Sequence, residues 1–178
     1  MKSIKALAAS GVMTLAACVL PGAATAAPAA ATAAAPSPLA VKAAHDLLAA
    51  MQAEKLMRTV AGSSRYPTEQ QRLAVMAKLD KVTPEEVYSR LAAPVAKLVT
   101  PETAVEMVRF YQSAYGQKVL KNTYNSGPSI GDTTPKPSAA EKAELAKPAY
   151  IKADKELQAA KPAIRHEIFV LVTELARK

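Results

Sequence analysis

Hydrophobic positions recur along this chain at spacings of three and four residues, and proline, glycine and serine interrupt the recurrences. Ala44, Leu47, Leu48 and Met51 begin one such stripe, and Leu56 and Val60 continue it on the neighbouring side. The pattern predicts a helix from about Leu39 to Ala61, stopped by Gly62-Ser63-Ser64. A shorter stripe of Leu73, Met76 and Ala77 predicts a second helix ending near Leu79 or Asp80. Val87, Leu91, Val95 and Leu98 mark a third, with Pro94 inside it and a kink expected near Leu91.

The densest pattern runs from Thr100 to Tyr124. Ala104, Val108, Tyr111, Tyr115 and Val119 form one stripe, and Thr103, Met107, Phe110 and Ala114 form another beside it. So broad an apolar arc predicts a central helix, or kinked helix pair, contacted by several neighbours. Glu102, Glu106, Arg109 and Ser113 follow the remaining side, with Glu106 and Arg109 spaced to pair. Gly116 permits a close backbone approach or a helix end with positive φ. After the loop Asn125 to Pro137, a weakly amphipathic segment carries either Leu145, Ala149 and Lys152 or Tyr150, Ala153 and Leu157 as its stripe, with Pro148 expected to bend or interrupt it. Pro162 then reads as the start of a last helix, whose stripe is Ile164, Ile168, Leu171, Val172 and Leu175. The expected fold is all-α, a single compact bundle of about six amphipathic helices, some kinked by proline.

Start signals agree with these positions. Thr68 with Gln71, Thr83 with Glu86 and Ser138 with Glu141 have capping-box spacing. Thr83-Pro84 and Thr100-Pro101 place proline at the first helical position, where its missing N–H costs nothing. The acids that follow suit the positive end of a helix dipole.

The first residues change the picture. Lys2 and Lys5 precede an uncharged apolar run from Ala6 to Leu20, Pro21-Gly22 breaks it, and Ala24-Thr25-Ala26 supplies small residues. Residues 1–26 therefore read as a secretory signal peptide, and the protein as periplasmic or secreted. Leu15-Ala16-Ala17-Cys18 also resembles the lipobox of bacterial lipoproteins, which would make the signal 1–17, lipidate Cys18 and anchor the protein to a membrane. Residues 27–38 are Ala/Pro-rich and read as a disordered linker, and residues 39–178 as the helical domain.

Composition narrows the chemistry. Cys18 is the one cysteine, so a disulfide framework is excluded. The formal charge of +8 is spread along the chain among 15 acids, which is a solvated surface rather than a nucleic-acid site. His45 and His166 stand apart in sequence and read as solvent-facing or capping residues. No phosphate loop, dinucleotide fingerprint, nucleophile elbow or zinc spacing occurs, so neither a cofactor nor a metal is expected.

Phe110-Tyr111-Gln112-Ser113-Ala114-Tyr115-Gly116-Gln117-Lys118 resembles the Phe-Tyr-x-Ser-x-x-Gly-x-Lys signature of a bacterial secreted family, the domain of unknown function 2059 family. Ala114 and Tyr115 stand where that family commonly has a proline between Ser and Gly. The resemblance covers about residues 80–124 and implies an α-helical exported protein without an established activity. The motif residues Phe110, Tyr111, Ser113, Gly116 and Lys118 then read as structural: core aromatics, a hydroxyl that bonds back to a carbonyl or caps the break, and a cation at a helix end. A ligand groove lined by Tyr111, Ser113 and Tyr115 is the competing reading.

Three functions remain open. One is a noncatalytic binding or interaction module of the cell envelope, taking a protein or a small apolar ligand, with a homodimer among the open assemblies. The second is a lipoprotein tethered through Cys18. The third is an enzyme whose polar site lies near Glu106, Arg109 and Ser113. Cleavage after Ala26 predicts that intact-mass spectrometry of the exported protein finds a terminus at Ala27 without lipid. Under the lipoprotein reading the terminus is an acylated Cys18, and Cys18→Ser abolishes membrane fractionation.

Overall fold

A computed structural model describes residues 35–125 and 134–177. The leader with Cys18, most of the linker and residues 126–133 of the loop lie outside the described residues. Within them the secondary structure is eight α-helices and no strand: α1 Pro38–Ala50, α2 Ala53–Ser63, α3 Glu69–Leu79, α4 Pro84–Val95, α5 Pro101–Gln112, α6 Ala114–Asn125, α7 Ala139–Leu145 and α8 Pro148–Arg177. The all-α expectation holds; two splits raise the number of helices from about six to eight among the described residues, and a third difference moves a boundary.

The predicted helix from Leu39 to Ala61 is two helices. Gln52 takes a left-handed conformation, φ 56° and ψ 55°, which ends α1 and redirects the chain into α2. A helix end leaves carbonyls without partners. Here the Tyr124 hydroxyl, from α6, donates to the Met51 carbonyl at 2.8 Å. Thus a distant tyrosine stabilises a break that carries no glycine.

The motif helix is also a pair, divided at Ser113 rather than at Gly116. Ser113 is extended, at φ −68° and ψ 158°, and α6 begins at the next residue. The third difference moves a boundary. Pro148 opens α8, and Pro162, expected to start the last helix, lies inside its 30 continuous residues. Ala153, Leu157, Ala160, Ile164, Ile168, Leu171 and Leu175 are all buried, so one stripe keeps its phase across the proline. Pro162 itself is exposed, which leaves the unpaired carbonyl one turn earlier on the water side. Pro94 is tolerated for another reason: it sits in the last turn of α4, one residue before the helix ends.

Helix α8, about 45 Å long at 1.5 Å per residue, packs against α2, α3, α4, α5 and α7. It, rather than the motif segment, is the axis of the bundle. Helix α1 packs on α4 and α5, closing the other side. Leu47, Leu48, Met57, Val87, Leu91, Val95, Met107, Leu157, Ile164 and Ile168 fill the space between, each almost wholly buried. Each such side chain stabilises the fold by about 1.5–3 kcal/mol relative to exposure. In α3 the expected stripe is not buried: Leu73 is 55% exposed and Ala77 is exposed, Met76 is half-buried, and Leu79 is the one buried residue.

The predicted caps are present. Thr68, Thr83 and Thr100 each accept the backbone N–H three residues on, and Ser138 and Glu141 form the reciprocal box of α7. At α5 the cap has an addition from α8. The Glu156 carboxylate accepts the Thr100 N–H at 2.6 Å, the Thr100 hydroxyl at 3.2 Å and the buried Thr103 hydroxyl at 2.7 Å. Burial pushes the Glu156 carboxyl up, but the hydrogen bonds from Thr103 and Thr100 together hold it below its ordinary value. Because its folded pKa is lowered, its contribution is complete above the unfolded value near 4.5 and is lost as pH falls through the folded value. Glu156→Gln is therefore expected to lower the thermal midpoint most at neutral pH, with the gap to wild type closing as the pH of the melt is lowered through the folded-state pKa. Thr103→Val, which keeps the shape and removes the hydroxyl, should cost about 1–3 kcal/mol at neutral pH.

Candidate functional site

The motif residues build the turn between α5 and α6. Ser113 Oγ donates to the Phe110 carbonyl at 2.7 Å and accepts the Gly116 N–H at 3.0 Å, so one hydroxyl closes the end of α5 and opens α6. Gly116 is buried in the first turn of α6, and a Cβ placed there would lie 2.0 Å from the Phe110 carbonyl oxygen. The close-approach role of this glycine is therefore the one realised. Lys118 does not sit at the end of α5. Its ammonium reaches Glu141 of α7 at 3.4 Å.

Phe110 and Tyr111, adjacent in sequence, meet edge-on at 5.1 Å between centroids but line different cavities. Phe110 is half-buried in an aromatic group with Tyr115, at 6.2 Å between centroids, and Tyr150 of α8, at 5.1 Å. With Leu145 these rings surround a cavity of about 130 Å³ beside Ser113. The Tyr115 hydroxyl donates to the Pro135 carbonyl at 2.9 Å. Burial, and then the charge of Asp154, push the Tyr150 phenol up to about 12, so it stays protonated at neutral pH. Tyr111 is buried and lines a separate cleft with Tyr124. The sequence pattern grouped Tyr111, Ser113 and Tyr115. The fold keeps Ser113 and Tyr115 together and replaces Tyr111 with Phe110 and Tyr150. Tyr150 was missed because its helix phase is weak, and only its aromatic character pointed to it.

The polar candidates are held in structural contacts. Arg109 makes a bidentate pair with Glu106 and reaches Glu144 of α7 at 3.1 Å, and Glu144 also takes Lys147 at 2.7 Å. Lys147 and then Arg109 hold the Glu144 carboxyl below its ordinary range. The Ser113 hydroxyl is engaged in the turn. Glu106, Arg109 and Ser113 thus fix α7 and the helix junction.

Of the two histidines, His166 is exposed as expected. His45 instead bridges two helices. Its Nε2 is 2.9 Å from Glu85 of α4, and its ring meets Tyr88 edge-on at 5.9 Å. The Tyr88 hydroxyl donates to Glu54 at 2.6 Å. Among the described residues no group of three His, Cys, Asp or Glu side chains is placed to hold a metal ion, and no helix is long and apolar enough to cross a membrane.

A larger depression lies elsewhere. A groove of about 550 Å³ runs between the start of α1, the first half of α5 and the start of α8. Leu39 and Val105 line it while 70% and 63% exposed, and Glu102 and Lys152 put opposite charges along it. Leu39 precedes the α1 stripe, and Val105 falls outside both α5 stripes, so periodicity assigned neither to the core. No protein-family model, curated protein or solved structure matches this chain.

Gly116→Ala is expected to be the most damaging single-atom addition in the motif. The obstacle is backbone, so the α5–α6 junction must open, at a cost of about 3 kcal/mol. A melt should show this as a midpoint roughly 10 °C lower, whereas Gly62→Ala, with open space around it, stays near wild type.

Proposed function

We propose that this protein is an exported, noncatalytic helical interaction module, and that the groove between α1, α5 and α8 is its contact surface. The groove carries the reading. Two large aliphatic side chains, Leu39 and Val105, stand in water on a concave face, and they are more exposed than the other large hydrophobic side chains named as exposed, Leu73, Ile151, Phe169 and Val170. Export rests on the leader pattern of residues 1–26, and the resemblance of the Phe110–Lys118 motif to the domain of unknown function 2059 family supports the same compartment.

The occupant that suits the groove is a second copy of this chain. Glu102 on α5 and Lys152 on α8 flank the apolar centre with opposite charges. A two-fold axis through such a face sets Glu102 of each protomer against Lys152 of the other while Leu39 and Val105 meet at the middle. This is the arrangement of an apolar core with a polar rim.

Sedimentation velocity of the mature protein tests the reading. A concentration-dependent dimer is expected, Val105→Glu should leave a folded monomer, and Glu102→Lys should weaken association. The combination of Glu102→Lys with Lys152→Glu should restore it. A wild-type protein that stays monomeric at the highest concentrations, or a dimer indifferent to Val105→Glu, overturns the proposal.

A further inference from the structure

A second concave site lies on another face, where the α1–α2 break, α6 and α8 meet. It is a cleft of about 210 Å³ whose apolar wall is Met51, Leu56, Leu120 and Ile164. Met51, Leu120 and Ile164 are buried, so the floor is made by the core itself. Both charged side chains lining the cleft are cations, Lys161 and Arg165, one turn apart on α8 and both exposed. No carboxylate lines it. Beside it the Lys55 ammonium stands 5.8 Å from the centre of the Tyr124 ring, and the nearby Glu54 is taken up by the Tyr88 hydroxyl.

Many cations elsewhere on the surface are neutralised. Arg58, Arg72, Arg90, Arg109, Lys118 and Lys147 are each paired with a carboxylate. Arg165 has a hydroxyl partner instead, Ser63 Oγ at 3.3 Å. Two cations at the mouth of an apolar cleft attract one kind of ligand, an anion carried on a hydrocarbon. A cavity of about 150 Å³ accepts benzene, so 210 Å³ scales to about eight carbons.

We infer that this cleft binds a medium-chain aliphatic carboxylate, with the carboxylate between Lys161 and Arg165 and the chain lying on Met51, Leu56, Leu120 and Ile164. Arg165 offers a planar fork for two oxygens, and Lys161 adds a point charge one turn away. The site is distinct from the Leu39–Val105 groove, and the inference does not depend on dimerisation.

Calorimetric titration of the full mature protein with octanoate, octanol and octylammonium tests the assignment. Octanoate is expected to bind at least tenfold more tightly than either of the others. Lys161→Gln with Arg165→Gln should weaken octanoate tenfold or more and leave octanol unchanged. Lys161→Arg with Arg165→Lys should retain octanoate binding, which separates loss of charge from loss of folding. The chain has no tryptophan, so Val119→Trp, at the cleft, gives a single reporter whose emission should shift with octanoate. Equal affinity for octanoate and octanol, or octanoate binding that survives loss of both cations, overturns the inference. So does sedimentation with anionic phospholipid vesicles in the absence of free octanoate binding, since that makes the cations a membrane contact.

Discussion

The unbroken apolar stripe of α8 is the constraint on which the bundle depends. A proline inside a helix costs about 3 kcal/mol through its lost hydrogen bond and ring clash. Breaking α8 at Pro162 would avoid that cost, but it would turn Ile164, Ile168 and Leu171 away from the partners that bury them together with Leu157. Each of those side chains contributes about 1.5–3 kcal/mol by burial. Burial therefore decides the outcome, and one long helix results, against which α2, α3, α4, α5 and α7 are arranged.

The same comparison explains what the sequence disclosed and what it concealed. Caps were legible because a threonine or serine and the N–H it accepts lie three residues apart, so Thr68, Thr83, Thr100 and Ser138 declare themselves locally. The strong stripes of α1, α4, α5 and the end of α8 were legible for a similar reason. Breaks were not. Gln52 has no intrinsic preference for a left-handed conformation, and its stabilising partner, Tyr124, is more than seventy residues away. Pro162 misled in the opposite direction, since local chemistry favoured a boundary that long-range burial forbids.

The motif shows how a signature can be structural and still be sharply specified. Ser113 must both donate to the Phe110 carbonyl and accept the Gly116 N–H, and residue 116 must lack a side chain for Phe110 to approach. Lys118 and Arg109 then reach across to Glu141 and Glu144 and hold α7, which buries no residue of its own. Glu106 and Arg109 pair as their spacing indicated, whereas Ser113 lies past the end of α5 and acts within the helix junction. The further role of Arg109 followed only from α7, whose approach no local pattern announces.

Helix α3 bears on how evenly the molecule is held. It places one buried side chain, Leu79, into the core, and its ends are secured by Thr68 and by the Arg58–Asp80 pair. Val75 and Met76 pack partly against the core, and Leu73, Ala74 and Ala77 are exposed. Opening α3 alone therefore exposes much less apolar surface than opening α8, which carries eight buried residues. Local opening costs least in the lightly buried helices, α3 and α7, and most in α8. A protease or an exchanging solvent proton would meet α3 and α7 before α8.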